Sequence, residues 1–252
     1  LGAYKALVES HYPLEFILDE NVSAARLAEF PVVWLPNVST MSETECGLIA
    51  DYVREGGFLV ATGATSMKDE RGRDRSDFGL ADVLGVRYEG ILDCDWHYLR
   101  SLPRPYGNDL DPRQFILNTG PAVAAHPAGA EHFGGLHEAF CRPQAPDRFY
   151  SHSVHPPHDC RGAAIYLKRF GRGAAIYLPN SVDASYAGFH ESPEHRLLMR
   201  NMVELAGYQP PVRLVKGTLN VEFVLNRMTD GRWLVHLLAF NGTRQAVTLA
   251  SL

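Results

Sequence analysis

The chain has 252 residues, 46% hydrophobic and 21% charged, an ordinary globular composition that suffices for one large domain or two unequal ones. No run approaches the roughly 18 apolar residues of a membrane-spanning helix, and LGAYKALVESHYP lacks the basic-then-apolar layout of a signal peptide. A net charge of −5 without a long basic run argues against nucleic acid, and the scattered cysteines (Cys46, Cys94, Cys141, Cys160) fit a reducing cytoplasm better than a zinc knuckle or disulfide framework.

The first third alternates helix and strand signals. Gly2 to Ser10 predicts a helix with Tyr4, Leu7 and Val8 on one face, and Leu14 to Leu18 predicts a short strand. Ser23 caps a short helix through Ala28, and PVVWLP (Pro31 to Pro36) is strand-like. Ser42 with Glu45 three residues on forms a capping box. The helix it opens presents Leu48, Ile49, Tyr52 and Val53 to the core and closes at Gly56, before the buried strand FLVAT (Phe58 to Thr62). Such alternation implies a parallel sheet covered on both faces. A doubly wound domain normally opens on a central strand, so a strand upstream of Leu1 is expected.

From about Asp74 to Asp159 periodicity is weak. Phe78 to Leu84 reads as a short helix, Ile91 to Leu99 and Gln114 to Asn118 as strands, and much of the rest as loop. RGAAIYLK and RGAAIYLP (Arg161 to Lys168, Arg172 to Pro179) form a near-repeat best read as a β-hairpin turning at residues 169–173. Ser192 with Pro193 opens a helix whose stripe is Leu198, Met202 and Leu205, ended by Gly207. Gln209-Pro210-Pro211 marks a boundary between an α/β domain (1–208) and an antiparallel β segment (211–252). In that segment Val221, Phe223 and Leu225 alternate with polar neighbours, Thr229-Asp230-Gly231 turns, Trp233 to Phe240 returns, and Asn241-Gly242 turns again before Ala246 to Leu249.

Several stretches carry candidate chemistry. Gly63-Ala64-Thr65-Ser66 ends a buried strand where a nucleophile elbow would sit, but neither cysteine nor a second glycine at the elbow spacing is present. Phosphate-loop patterns are absent as well. A small hydrolase using Thr65 or Ser66 needs a histidine base within reach. His137-Glu138-Ala139-Phe140-Cys141 resembles half of a zincin motif, and His152, His155 and His158 form a triplet that Pro156-Pro157 holds extended. Asp93, Asp95, Trp96 and His97 make a polar-aromatic cluster that reads as a sugar-facing wall or a plain polar edge rather than a catalytic carboxylate pair. Ligands of doubly wound sheets bind beyond the carboxyl ends of the strands. That rule nominates a rim built from Leu18-Asp19-Glu20, Pro36-Asn37-Val38, Thr62 to Thr65 and Pro179-Asn180-Ser181, with Asn37, Gly63, Thr65, Ser66, Asn180 and Asp183 as contact residues.

The order of Leu35-Pro36, Ser42, Val53-Arg54-Glu55-Gly56-Gly57-Phe58-Leu59-Val60, Thr62-Gly63 and Asp69-Glu70, followed by FGRGAAIYLPNSVDASY and NVEFVLNRMTDGRWLVHLLAFNGT, resembles one family. It is the class I glutamine-amidotransferase-like domain of multidomain glycoside hydrolases, called the β-galactosidase trimerisation domain. The resemblance is thin from about Tyr98 to Phe149. It implies a flavodoxin-like doubly wound α/β fold with a C-terminal β segment, and a homo-oligomer, a trimer by family. It also implies a catalytic barrel elsewhere in a parent enzyme acting on galactosides or fucosides. The family's active amidotransferase relatives place a cysteine at the elbow, where Thr65 aligns here, so that activity is not carried over. The expectation is a non-catalytic accessory domain without cofactor or metal. The alternatives are the small hydrolase and a carbohydrate-binding module using Trp96, Tyr98 and nearby acids, Asp95 among them.

Overall fold

The computed structural model describes residues 1–92, 95–139, 160–212, 214 and 218–239. Helix α1 spans Gly2–Glu9, and a 3-10 turn follows at Asp19–Asn21. Helix α2, Ala24–Leu27, is capped by the Ser23 hydroxyl, which accepts from the Arg26 amide. Strand β1, Val32–Leu35, leads to α3, Glu43–Arg54, where the Ser42–Glu45 capping box forms as the spacing predicts. Strand β2 is Phe58–Thr62, α4 is Ala81–Leu84 and β3 is Val86–Ile91. Then come β4 (Trp96–Arg100), β5 (Ile116–Thr119), β6 (Val123–Pro127), β7 (Glu131–Phe133), β8 (Gly135–Glu138) and β9 (Cys160–Gly162). Strands β10 (Ile165–Phe170) and β11 (Gly173–Leu178) precede α5 (Val182–Tyr186) and α6 (Pro193–Glu204). The chain closes on β12 (Val221–Arg227) and β13 (Trp233–Ala239).

The main sheet has the order β1-β2-β11-β10-β7. Strands β1, β2 and β11 run parallel, but β10 and β7 are antiparallel, so the sheet is mixed rather than wholly parallel. The reversal follows from the hairpin: Phe170 pairs with Gly173, leaving Gly171-Arg172 as a tight turn that sends β11 back along β10. Gly171 holds φ +61, a left-handed conformation that glycine adopts at little cost.

Alternation along β2 and β11 divides the core. Leu59, Ala61, Ala175 and Tyr177 face one side, with Ile49, Tyr52 and Val53 of α3. Val60, Ile176 and Leu178 face the other, with Ala3 and Ala6 of α1, Val182 and Tyr186 of α5, and Leu198, Met199 and Met202 of α6. Helices therefore cover both faces, and each fully buried Leu or Ile contributes about 1.5–3 kcal/mol. A Cβ at Gly173 would collide with the carbonyl oxygens of Gly57 and Val53, so glycine is what lets β11 start against the end of α3.

Four expectations are corrected. Residues 14–18 form no strand, because nothing among the described residues completes a ladder with them. Among the described residues the middle of the chain holds more strands than the two expected, β3 to β8, with β3 paired to β6 and a second sheet ordered β5-β4-β8-β9. The single strand expected over Ile91 to Leu99 is two, since β3 and β4 pair in different sheets. Helix α4 starts only at Ala81 because the Gly79 and Leu80 amides are held by Ser66 instead. The expected C-terminal hairpin is present, and most of its apolar side chains are exposed, Leu237 and Leu238 included. The turn at Asn241 and the strand at 246–249 lie outside the described residues.

Candidate functional site

The carboxyl ends of β1, β2 and β11 meet as the strand-end rule requires. The Asn37 amide donates to Thr62 Oγ1 at 2.9 Å, Asn37 Oδ1 accepts from the Ala64 amide at 2.7 Å, and Thr62 Oγ1 donates to Asp183 Oδ2 at 3.2 Å. Gly63 sits at φ +58, and a Cβ there would lie 2.5 Å from Asn37 Oδ1 and 2.9 Å from Ser181 Oγ. The Tyr177 hydroxyl, fully buried, donates to the Gly63 carbonyl at 2.7 Å. Asp183 also accepts from the Ala184 amide, and burial pushes its carboxyl above the usual range. Asn180 is fully buried, and among the described residues neither atom of its side-chain amide has a partner. The structure thus brings Asn37, Gly63 and Asp183 into one network, with Asn180 in the turn after β11. Leu18-Asp19-Glu20 does not end a strand, because 14–18 is not one.

Thr65 and Ser66 lie at this corner, both fully buried. The Thr65 hydroxyl donates to the Thr62 carbonyl at 2.8 Å. Ser66 holds φ +62, an uncommon backbone state outside glycine, and its hydroxyl accepts from the Leu80 amide at 3.1 Å. Among the described residues no histidine hydrogen-bonds to either hydroxyl. Arg75 completes the lock: its Nη1 donates to the carbonyls of Met41 (2.9 Å), Ser66 (3.2 Å) and Lys68 (2.6 Å), while Nη2 pairs with Glu43 at 2.6 Å. Arg75 was not singled out from sequence. An arginine in the charged run RGRDR carries no local sign that it will be pulled inward.

In the second sheet, His97 lies opposite Asn118 on one side and Glu138 on the other. It is 1% exposed, neither ring nitrogen has a partner among the described residues, and burial lowers its pKa to about 4. Glu138 pairs with Arg161 at 2.7 Å. His137 and Glu138 sit on a strand, where neighbours point to opposite faces, so the helical metal-binding pattern is not formed. Cys141, Asp93 and the His152, His155, His158 triplet lie outside the described residues. His195, also unforeseen, caps α6 by accepting from the Ser192 amide at 3.1 Å and donates from Nε2 to the Leu117 carbonyl at 2.7 Å, tying α6 to β5.

Asp95 is exposed, and Trp96 is half-buried with its ring edge-on to His190, the centroids 4.9 Å apart. His190 in turn meets Phe189 at 5.1 Å, and Phe189 is 96% exposed. Tyr98 is buried against Phe115, so it does not join this surface.

No family model matches the sequence, and no curated protein matches it. Solved structures do. The α-L-fucosidase isoenzyme 2 from Paenibacillus thiaminolyticus aligns over 98% of this chain and 35% of its own, at 20% identity and TM-score 0.73. The β-galactosidase from Bacillus circulans sp. alkalophilus aligns over 95% and 31%, at 18% identity and TM-score 0.67. The β-galactosidase from Rahnella sp. R3 aligns over 89% and 29%, at 16% identity and TM-score 0.62. The chain has the fold of a part of these glycoside hydrolases and spans about a third of their length.

Proposed function

We propose that this chain is a non-catalytic accessory domain of a cytoplasmic glycoside hydrolase, acting on galactosides or fucosides. In this reading it is a flavodoxin-like, amidotransferase-type unit of the β-galactosidase trimerisation class. Its work is to associate with further copies of itself beside a separate catalytic barrel, and residues 211–252 begin a β domain of their own. The observation that carries the proposal is the corner from Thr62 to Ser66. A nucleophile there must be exposed and paired with a base, whereas both hydroxyls are buried and tied to main-chain groups. The structural neighbours support the parent activity, and exposed Phe189, Phe16 and Leu237 support association. Treating the chain with a fluorophosphonate probe and with nitrophenyl galactoside and fucoside tests the absence of chemistry. The expected result is neither adduct nor turnover. A stoichiometric adduct on Thr65 or Ser66 would overturn the proposal in favour of the small hydrolase.

A second reading, a carbohydrate contact surface, is favoured by the Trp96, His190 and Phe189 rings meeting edge to face beside exposed Asp95. Calorimetric titration with galactose and with fucose tests it. Heat that Trp96→Ala abolishes supports a contact surface, and no heat with either sugar removes it.

A further inference from the structure

Strands β8 and β9 bring an imidazole and a thiol together on one face of the second sheet. His137 lies opposite Cys160, and directly opposite residues of an antiparallel pair share a face, their Cβ atoms about 4.5–5.5 Å apart. This face also carries Tyr98 and Arg100 of β4, whereas Leu99 and Leu136 point the other way, into the core. The pairing steps from Leu136–Gly162 to His137–Cys160, so Arg161 is an extra residue in β9, a bulge of the kind that re-aims side chains. Arg161 turns away to pair with Glu138.

Gly135, two residues before His137, faces the same way. A Cβ there would lie 2.6 Å from His137 Nε2 and 3.3 Å from Cys160 Sγ, so both atoms close on the space that the glycine leaves. Cys160 is exposed, and its thiol donates to the Gly162 carbonyl at 3.2 Å. The Phe115 ring meets His137 edge-on, with centroids 6.1 Å apart. His137 Nδ1 is buried without a partner among the described residues, which leaves Nε2 as the nitrogen that can exchange a proton. Burial and then the Arg100 charge lower the His137 pKa, so at neutral pH the ring is an unprotonated base. A nucleophile beside a base is the arrangement that covalent chemistry requires, and reactive cysteines are partly exposed and flanked by such groups.

We propose that Cys160, with His137 as its base, is a site of reversible covalent modification by low-molecular-weight disulfides of the glutathione class. His137 Nε2 takes the thiol proton, and the thiolate attacks one sulfur of the disulfide. The S–S bond breaks, and the departing thiolate recovers the proton from the imidazolium. The products are a mixed disulfide on Cys160 and one free thiol, so one disulfide is exchanged for another without a further oxidant, and excess thiol reverses the step. Cys46 is the contrast: it is buried, burial pushes its thiol up to about 11, and no imidazole pairs with it among the described residues. The site goes beyond the accessory-domain reading and is the same whether or not copies of the chain associate.

The test treats the chain with oxidised glutathione and reads modification of Cys160 by peptide mass mapping, with buried Cys46 in the same digest reporting that the fold is intact. The rate for the unsubstituted chain is expected to level off near neutrality, whereas that for His137→Gln should keep rising through about pH 8.5, where a plain thiol ionises. At about pH 6.5 the variant should react at least about tenfold more slowly, and the two rates should converge once the thiol ionises unaided. Gly135→Ala, which crowds Nε2 without removing the imidazole, should slow the neutral reaction in the same way. The proposal is overturned if the unsubstituted chain itself follows a plain-thiol profile, an outcome that requires no variant to fold. It is equally overturned if His137→Gln, with Cys46 still unmodified, keeps the unsubstituted rate near pH 6.5.

Discussion

At the scale of single residues, the carboxyl rim is a network in which glycine and arginine do what other side chains cannot. Gly63→Ala forces a Cβ toward Asn37 Oδ1, itself fixed by the Ala64 amide, at a left-handed φ. It should cost about 2 kcal/mol in urea unfolding. Arg75→Gln removes a charged donor from three carbonyls and should cost about 3 kcal/mol. Arg75→Lys should recover only a minor part, because a point charge cannot reproduce the planar fork. His97 sets a pH dependence. Burial lowers it from 6.5 to about 4, so between those values the unfolded chain binds a proton that the folded chain does not. Stability is therefore complete above pH 6.5 and falls as pH drops toward 4, by roughly 3 kcal/mol from this residue. His195, also lowered by burial, adds in the same direction. His97→Leu should flatten the slope of urea midpoint against pH between 6.5 and 4, leaving the His195 part. Its stability at neutral pH should change little, because neither ring nitrogen has a partner among the described residues to lose.

At the scale of elements, what was legible in the sequence was local. Caps at Ser23 and Ser42, the β-branched runs of β1 and β2, and the hairpin between β10 and β11 each declare themselves within a few residues. Ser42→Ala should accordingly cost about 1 kcal/mol in thermal unfolding, the usual value of an N-cap. What depends on distant partners was not legible. Strands β6 to β9 are short and find their neighbours across the chain, and residues 14–18 have strand composition without a ladder. The rim was partly legible, because strand ends converge by topology whatever their side chains, which is why Asn37, Gly63 and Asp183 meet. The inward course of Arg75 and the His195 link to Leu117 depend on loop and helix packing that no local pattern encodes.

At the scale of the whole molecule, helices cover both faces of the mixed sheet, while apolar side chains remain exposed at Phe189, Phe16, Leu18 and along β13. Exposed apolar surface of this kind is what association between copies or with further parts of a longer chain removes from water. Phe189→Asp should therefore weaken assembly of the chain without lowering the unfolding midpoint measured at concentrations too low for assembly, since a side chain 96% exposed contributes little to the core of one chain. Sedimentation equilibrium of the unmodified chain over a range of concentrations tests the central claim most directly. A mass three times that of one chain is the result predicted for an assembly domain, and a single-chain mass at every concentration would contradict it.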